Sequence, residues 1–420
     1  MIPMKKLFAL VLALVLSLSL VACGSTGTTP SGSTNDSSTQ EPSGTVSADD
    51  IPDTMTSSDG KYQVAFVTDV GQLKDKSFNQ GTFDGVKLYA NANGLSYKYY
   101  QPANGSEATD DDRYDAMKAA VDGGAEVVVC AGYLQEAALR KAALEFPDTP
   151  FVFIDGYPIQ EKATEYDEAT GEALPNDSPI LTNVAGISFQ EEQAGYLAGY
   201  AAVKDGFTKL GFSGGGGGTN DACCRFGYGY VQGANAAASE MDVTVDMNYS
   251  WEYGATFSAS TELQTMISGW YSNGTEIVFA CGGAMFQSIV AAASANDKYV
   301  IGVDVDQSGE SDYVVTSAMK GLYPATYDTL TDVIVNGNWD AYKGKIATLG
   351  LVSGEDPELN YVQIPMGEGT QWSDSFTQDD YKAMVKDMFD GKITVSNDVS
   401  KTPSDFATVI AVEDQGAIKG

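Results

Sequence analysis

The amino-acid sequence predicts an α/β protein built from two similar, doubly wound lobes. Short apolar runs recur along the chain, and stretches with helical spacing separate them. A pattern of two apolar runs in the first half returns in the second half. Alternating strands and helices favour parallel sheets covered by helices on both faces. The repeated pattern predicts that there are two such units.

The apolar runs have the length and composition of buried strands. Continuous runs of this length are typical of strands covered on both faces, as in parallel sheets. The clearest examples are residues 64–67, 127–129, 151–154, 277–279 and 300–303.

The stretches between the runs carry helix signals. In residues 109–122, Tyr114, Met117 and Val121 fall on one face of a helix, and Gly123 and Gly124 follow directly. Apolar spacing of this kind, closed by glycine, predicts an amphipathic helix that ends at the glycines.

The internal repeat also points to a binding cleft. Residues 126–132 resemble residues 276–282, and each segment leads to a second apolar run that ends in an acid, Asp155 or Asp304. Asp69 follows the first run of the chain in the same way. Ligands of open α/β sheets bind beyond the carboxyl ends of the strands. Two lobes whose strand ends face each other are therefore expected to form a cleft lined by these acids.

The N-terminus resembles an export signal. Lys5 and Lys6 precede an uncharged, mostly apolar run from Leu7 to Ala22, which is shorter than the roughly 20 residues of a membrane-spanning helix. The run leads into Cys23 through small residues, as in a bacterial lipobox. This resemblance implies a signal peptide at residues 1–22, cleavage before Cys23 and a diacylglycerol on its sulfur. The alternative is a buried cysteine in an ordinary signal peptide.

A tether is expected to follow the signal peptide, at residues 23–60. Ser, Thr, Gly and Pro dominate this segment, and such a composition has too little apolar surface to offset the entropy of ordering. The remaining chain is divided into lobe 1, at residues 61–185 plus 318–345, and lobe 2, at residues 186–317 plus 346–420.

Charge and cysteine usage exclude several classes of partner. The formal net charge is −33, and a surface this acidic repels polyanions, so that no nucleic-acid partner is expected. The same charge favours uncharged solutes over nucleotides. Cys130, Cys223, Cys224 and Cys281 show no C-x-x-C spacing, so no metal site is predicted. The sequence does not select a disulfide among them.

Two motifs that suggest enzymes lack their partners. Residues 211–215 satisfy G-x-S-x-G, but the chain contains no histidine to activate the serine. Residues 317–320 satisfy S-x-x-K without the Lys-Thr-Gly motif that accompanies it in penicillin-binding proteins. The glycine run 214–218 lacks the lysine of a P-loop. No catalytic residue is predicted.

Several motifs occur along the chain in an order that resembles the basic membrane protein family of ABC-transporter substrate-binding lipoproteins. This family includes purine nucleoside receptors. The resemblance begins with residues 67–71 and with the Asp-Lys-Ser-Phe-Asn motif at residues 75–79. The strand ending at 154–156, the Gly/Ala-rich segment 193–202 and the Gly-Val-Asp-Val-Asp-Gln motif at 302–307 continue it.

This resemblance implies a type I periplasmic-binding-protein fold, with two doubly wound α/β lobes joined by a hinge. It implies an extracellular solute receptor, anchored by lipid to the outer face of the cell membrane, that delivers a purine nucleoside to ABC permease subunits. Its partners would be the nucleoside, the permease and the lipid bilayer, and no cofactor is implied. Alternatives are a receptor for another small polar solute such as a sugar, a ligand-sensing signalling receptor, and an enzyme such as a nucleoside hydrolase.

The resemblance also assigns binding roles. Two aromatic rings, Phe78 from lobe 1 and Phe257 from lobe 2, would sandwich the base. The polar groups of the base and ribose would meet the side chains at positions that match the family: Asp69, Asn79, Asp155, Asp304 and Lys320. The alternative roles are core packing for Phe78 and Phe257, and a turn or helix cap for Asp69. Phe286 and Tyr253 are the reserve candidates for the second ring.

Overall fold

The computed structural model of the protein describes residues 46–55, 57–70, 72–167, 170, 173–416 and 418. The predicted signal peptide and the predicted lipidation site, Cys23, lie outside these residues. Among the described helices, none is both long and apolar enough to cross a membrane.

The first sheet has six strands, all parallel to their neighbours, in the order β11-β5-β4-β3-β1-β2. Its strands are β1 Val64–Val67, β2 Tyr97–Tyr100, β3 Val127–Ala131, β4 Phe151–Ile154, β5 Val184–Phe189 and β11 Ile346–Leu349. The central strands β1, β3 and β4 are buried along their whole length, in agreement with their continuous apolar sequences.

The second sheet has seven strands in the order β12-β10-β9-β8-β6-β7-β13, and only the short β12 runs antiparallel. Its strands are β6 Lys209–Gly214, β7 Asp246–Ser250, β8 Ile277–Cys281, β9 Tyr299–Asp304, β10 Val314–Lys320, β12 Val362–Gln363 and β13 Ala411–Asp414.

Ten α-helices accompany the two sheets in the described part of the chain. They are α1 Phe78–Asn93, α2 Asp110–Asp122, α3 Glu136–Glu145, α4 Glu191–Lys204, α5 Asp221–Met241, α6 Thr261–Ser272, α7 Met285–Asn296, α8 Leu322–Leu330, α9 Trp339–Tyr342 and α10 Gln378–Phe389. The predicted helix at 109–122 is α2, where Thr109 caps the first turn and Gly123 is the C-cap residue.

The two sheets repeat one winding. The strand order β2-β1-β3-β4-β5 in the first corresponds to β7-β6-β8-β9-β10 in the second. Asp155 directly follows β4, Asp304 ends β9, and both adopt a left-handed backbone, with φ of 55° and 68°. The repeated sequence pattern therefore reflects two doubly wound α/β units, and the predicted fold class is confirmed.

The chain passes between the sheets three times. It leaves the first sheet after Phe189, leaves the second after Lys320, and leaves the first again after Leu349. Lobe 1 is the first sheet with the helices packed on it, and lobe 2 is the second sheet with its own helices. The passages fall three or four residues later than the boundaries expected from sequence, because each strand is completed before the chain crosses.

The last part of the expected tether is ordered against lobe 1. The side chain of Lys87 in α1, only 3% exposed, donates a 2.8 Å hydrogen bond from Nζ to the carbonyl oxygen of Ala48. The amide of Met55 donates to the carbonyl oxygen of Tyr97 in β2. A polar composition predicts flexibility, but here backbone groups of residues 47–55 are bound by lobe 1. We call this segment the strap.

Helices α4 and α5 pack with almost no space between their backbones. A Cβ atom on Gly195 would lie 2.1 Å from the carbonyl oxygen of Phe226, and one on Gly229 would lie 2.1 Å from that of Glu192. Such approaches are possible only for glycine. The close contact brings the first turns of both helices together at the edge of the interlobe cleft.

Candidate ligand-binding site

A cavity of about 450 Å³ lies between the carboxyl ends of the strands of the two lobes. Its volume is within the range of small-molecule sites. All seven residues predicted from sequence line it: Asp69, Phe78, Asn79, Asp155, Phe257, Asp304 and Lys320. Residues more than two hundred positions apart are brought together because the strand ends of both sheets face one cleft.

Asp69 and Asn79 form the polar floor on the lobe 1 side. Oδ1 of Asp69 accepts hydrogen bonds from the backbone amide of Val70, at 2.6 Å, and from Nδ2 of Asn79, at 3.3 Å. Nδ2 of Asn79 also lies 3.2 Å from Oδ2 of Asp75. Oδ1 of Asn79 is buried and has no hydrogen-bond partner among the described residues. Burial raises the pKa of Asp69 to about 7, although the bonds from Val70 and Asn79 oppose the rise.

Asp69 requires a glycine beside it. A Cβ atom on Gly132, which follows β3 with φ of +95°, would lie 2.1 Å from Oδ2 of Asp69. Gly132 thus leaves the space in which this carboxylate lies.

Lys320 is the centre of the charge arrangement. Its side chain is 3% exposed, and Nζ lies 2.5 Å from Oδ2 of Asp155, 3.6 Å from Oε1 of Glu191 and 3.8 Å from Oδ1 of Asp304. Burial disfavours the ammonium group, but the three carboxylates outweigh this and hold the pKa of Lys320 above its usual range. Burial raises the pKa of Asp155 to about 6, against the opposing effect of Lys320.

Sequence reasoning missed Glu191 and Arg225. Glu191 is fully buried at the start of α4, and its Oε2 accepts a 2.6 Å hydrogen bond from Nε of Arg225 in α5. The two residues extend the Lys320 network away from the cavity. Their pairing depends on the tight contact of α4 with α5, and the glycines of the two helices were the only sequence signal of that contact.

Phe78 begins α1, and its ring lies at the cavity wall. Nζ of Lys320 is 4.7 Å from the ring centroid, a cation–π distance. The ring also packs against the hydrophobic core, so that Phe78 is held in place at the wall of the cavity.

Phe257 has a backbone that is uncommon for a bulky residue. Its φ is 57°, in the left-handed region, and such conformations cost energy and concentrate at functional sites. The ring rests on the glycine run, since a Cβ atom on Gly215 would lie 2.3 Å from its Cδ1 atom. The glycine run is therefore a bare surface for this ring.

The lobes are joined across the cleft beside the cavity. Oγ of Ser77 in lobe 1 donates a 2.5 Å hydrogen bond to Oδ2 of Asp304. Nε2 of Gln307 in lobe 2 donates to the carbonyl oxygen of Lys76, at 2.8 Å. Together with the Lys320–Asp155 bond, these contacts hold the two lobes in a closed arrangement.

Further residues that sequence reasoning did not select also line the cavity. They include Asp75, Tyr133, Asn220, Cys223, Phe226, Cys281 and Gln287. Most of them reach the cavity from loops and from the N-terminal parts of helices, which no apolar pattern marks, whereas Cys281 ends β8. The reserve candidates do not belong to its described lining: Phe286 is packed in the lobe 2 core, and Tyr253 is exposed.

The four described cysteines are buried free thiols. Two of them, Cys223 and Cys281, border the cavity. Over the residues that the structure describes, no cluster of three or more cysteine, aspartate or glutamate side chains could hold a metal ion.

Residues 62–355 match the protein family described as ABC transporter substrate-binding protein PnrA-like. An ABC transporter nucleoside-binding protein, BmpA of Lactococcus lactis, is 28% identical over 79% of this chain and 88% of its own length. Basic membrane protein B of Borreliella burgdorferi is 31% identical over 73% of this chain and 85% of its own length.

Two solved structures share the fold. An ABC transporter solute-binding protein from Aeropyrum pernix superimposes with a TM-score of 0.57 at 21% identity, covering 82% of this chain and 90% of that one. One from Conexibacter woesei has a TM-score of 0.56 at 21% identity, covering 80% and 99%.

Proposed function

Because the chain belongs to the PnrA-like family of ABC transporter substrate-binding proteins, we propose that it binds a purine nucleoside between its lobes. Members of this family, which include the basic membrane proteins, are solute-binding proteins and not enzymes. We further propose that it does so on the outer face of the cell membrane, anchored through lipid on Cys23. Membership of the family implies the general role, which is that of an extracytoplasmic receptor that works with permease components.

The placement of Phe78 and Phe257 in one cavity is the observation that carries the nucleoside proposal. The two rings come from different lobes and border the same space. A flat heteroaromatic base fits between two such rings, and stacking adds about 0.5–1.5 kcal/mol beyond the burial of apolar area. The strained backbone of Phe257 supports a functional role for this ring over simple core packing.

The polar atoms of the cavity support a ligand rich in hydrogen-bond donors. Oδ1 of Asp155 and Oδ1 of Asn79 are buried acceptors with no partner among the described residues. Leaving such atoms unsatisfied costs about 1–3 kcal/mol each. The hydroxyl groups of a ribose and the N–H groups of a purine are donors that could satisfy them.

The excess of carboxylates supports a neutral nucleoside over a nucleotide. Asp69, Asp75, Asp155 and Asp304 line the cavity, whereas Lys320 is the one cationic side chain in its described lining. A phosphate brought into this environment would be repelled. The name of the Lactococcus relative, a nucleoside-binding protein, agrees with this choice.

Mass spectrometry of the molecule released when the purified protein is denatured tests the proposal directly. A purine nucleoside is the expected result. Calorimetry then compares adenosine, guanosine and inosine with their monophosphates, and the nucleosides should bind far more tightly. A released sugar, or monophosphate binding equal to that of the nucleosides, would reject the nucleoside assignment.

A further inference from the structure

A second cavity, of about 480 Å³, lies beside the first on the side of the passages between the lobes. We call it the hinge-side cavity. The ends of β4, β5 and β11 form its lobe 1 wall, and the first turns of α4 and α5 and the loop at Asn397 form the other. It shares only Tyr133, Asp155, Asn220 and Ala222 with the first cavity, and these residues form the partition between the two.

Glu192 lines this cavity but not the first one, and it carries a buried oxygen that lacks a partner. The residue is 2% exposed, and Oε2 makes no hydrogen bond with any described residue. Burial raises the pKa of Glu192 to about 7, and the neighbouring Glu191 contributes to the rise. A carboxyl group that is buried, unsatisfied and at a cavity wall is a group that a ligand can complete.

The rest of the lining supplies both hydrogen-bond donors and a ring. Arg225 uses Nε to bind Glu191, so its terminal guanidinium nitrogens are the donors that it can offer to a ligand. Oγ of Ser188 and Oγ1 of Thr348 lie 3.0 Å apart at the strand ends. Tyr157 is 42% exposed at the same wall.

From this arrangement we infer that the hinge-side cavity is a second binding site, and that its ligand is a small uncharged carbohydrate such as a monosaccharide. A sugar hydroxyl both donates and accepts, so one ligand can donate to Glu192 and accept from Arg225. An anion would be repelled by Asp155, Glu192 and Asp221, whereas an uncharged sugar can bind both these acids and Arg225. The apolar face of a sugar ring can lie on Tyr157.

Occupation of this site should favour the closed protein. Gly156 and Ser188 come from lobe 1, whereas Asn220 and Arg225 come from lobe 2, so the complete site exists only when the lobes are close. A ligand that binds one arrangement selectively shifts the population toward it. If the first cavity binds a nucleoside, as proposed above, the sugar and the nucleoside should each strengthen the binding of the other by the same factor.

Saturation-transfer NMR on the full protein tests the site with D-ribose, D-glucose, D-galactose and myo-inositol as probes. At least one probe should give a protein-dependent signal at millimolar concentration. Glu192→Gln should weaken that binding about tenfold, because a charge-assisted hydrogen bond becomes a neutral one. Thr348→Trp, at an exposed position on the rim, should block it by filling the cavity. Glu240→Gln, at the far end of α5, is the matched control and should change nothing.

Phe78→Ala separates this site from the proposed nucleoside site. Sugar binding should survive that substitution even when nucleoside binding is lost. No signal from any probe, or a signal that Phe78→Ala abolishes and Thr348→Trp leaves intact, would overturn the inference. In the second case the sugar occupies the first cavity, and the proposed function itself would need revision.

Discussion

Nζ of Lys320, at the end of a strand of the second sheet, lies 2.5 Å from Oδ2 of Asp155, which follows a strand of the first sheet. This bond joins the lobes at the wall that the two cavities share. Two neighbouring carboxylates, on Glu191 and Asp304, also face the ammonium group. Lys320 therefore holds together a set of acids that would otherwise repel one another.

Lys320→Met should destabilise the protein by about 3–5 kcal/mol, because it leaves buried carboxylates without their counter-charge. Chemical denaturation measures the loss. The matched control is Lys343→Met, which removes a 2.6 Å ion pair with Asp340 at the exposed surface and should cost about 1 kcal/mol or less. Adding Asp155→Asn to Lys320→Met should recover part of the stability. A Lys320 variant as stable as the wild type would contradict this account of the network.

Asp69 should make stability depend on pH. An unfolded aspartate ionises near its ordinary pKa of about 3.8, whereas the folded group does so at about 7. The folded protein binds the extra proton between these values, so the free energy of unfolding should fall as the pH rises from about 4 to about 7, and then level off. Asp69→Asn should remove up to ~4 kcal/mol of this fall.

Denaturation midpoints over this pH range provide the measurement for Asp69. Asp340→Asn serves as its control, because Asp340 is exposed and its hydrogen bond with Lys343 lowers its pKa. That substitution should leave the fall between pH 4 and 7 in place. A fall of equal size in the Asp69→Asn protein would show that other carboxyl groups cause it.

The features that the sequence predicts correctly are those that follow from local pattern and from the rule for strand ends. The acids Asp69, Asp155 and Asp304 are found because each follows an apolar run, and parallel strands carry such residues to one edge. The Glu191–Arg225 pair is missed because it depends on how two helices pack. The strap is missed because backbone hydrogen bonds hold it, and these leave no mark on composition. The lobe boundaries differ since a strand can end beyond its apolar run.

Cys23→Ala should release the protein from membranes. The sulfur of Cys23 is the proposed site of the diacylglycerol, and without it no lipid can be attached. Metabolic labelling with a fatty acid and fractionation of cells measure the result, with Cys224→Ala, a buried thiol in α5, as the control. Unchanged labelling of the Cys23 variant would reject the anchor.

The two rings of the proposed sandwich should both contribute to nucleoside binding, and only in the closed state. Phe78→Ala and Phe257→Ala should each weaken binding of the released nucleoside by about 2–4 kcal/mol, because each removes a stacked ring and the burial of a large apolar face. Calorimetry measures the affinity, and denaturation of the unliganded variants checks that the fold is intact. Phe286→Leu, in the lobe 2 core, is the control and should affect stability more than affinity.

The outcome for Phe257 decides between a binding role and a packing role. Its left-handed backbone, with φ of 57°, places strain in the unliganded protein. If the ring serves the ligand, Phe257→Gly should relieve that strain and raise stability while abolishing tight binding. If the ring only fills space, the same change should lower stability and leave affinity unchanged.

Asp155→Asn should instead alter the preference among purines, since an amide offers the base a donor where the carboxylate offers only acceptors.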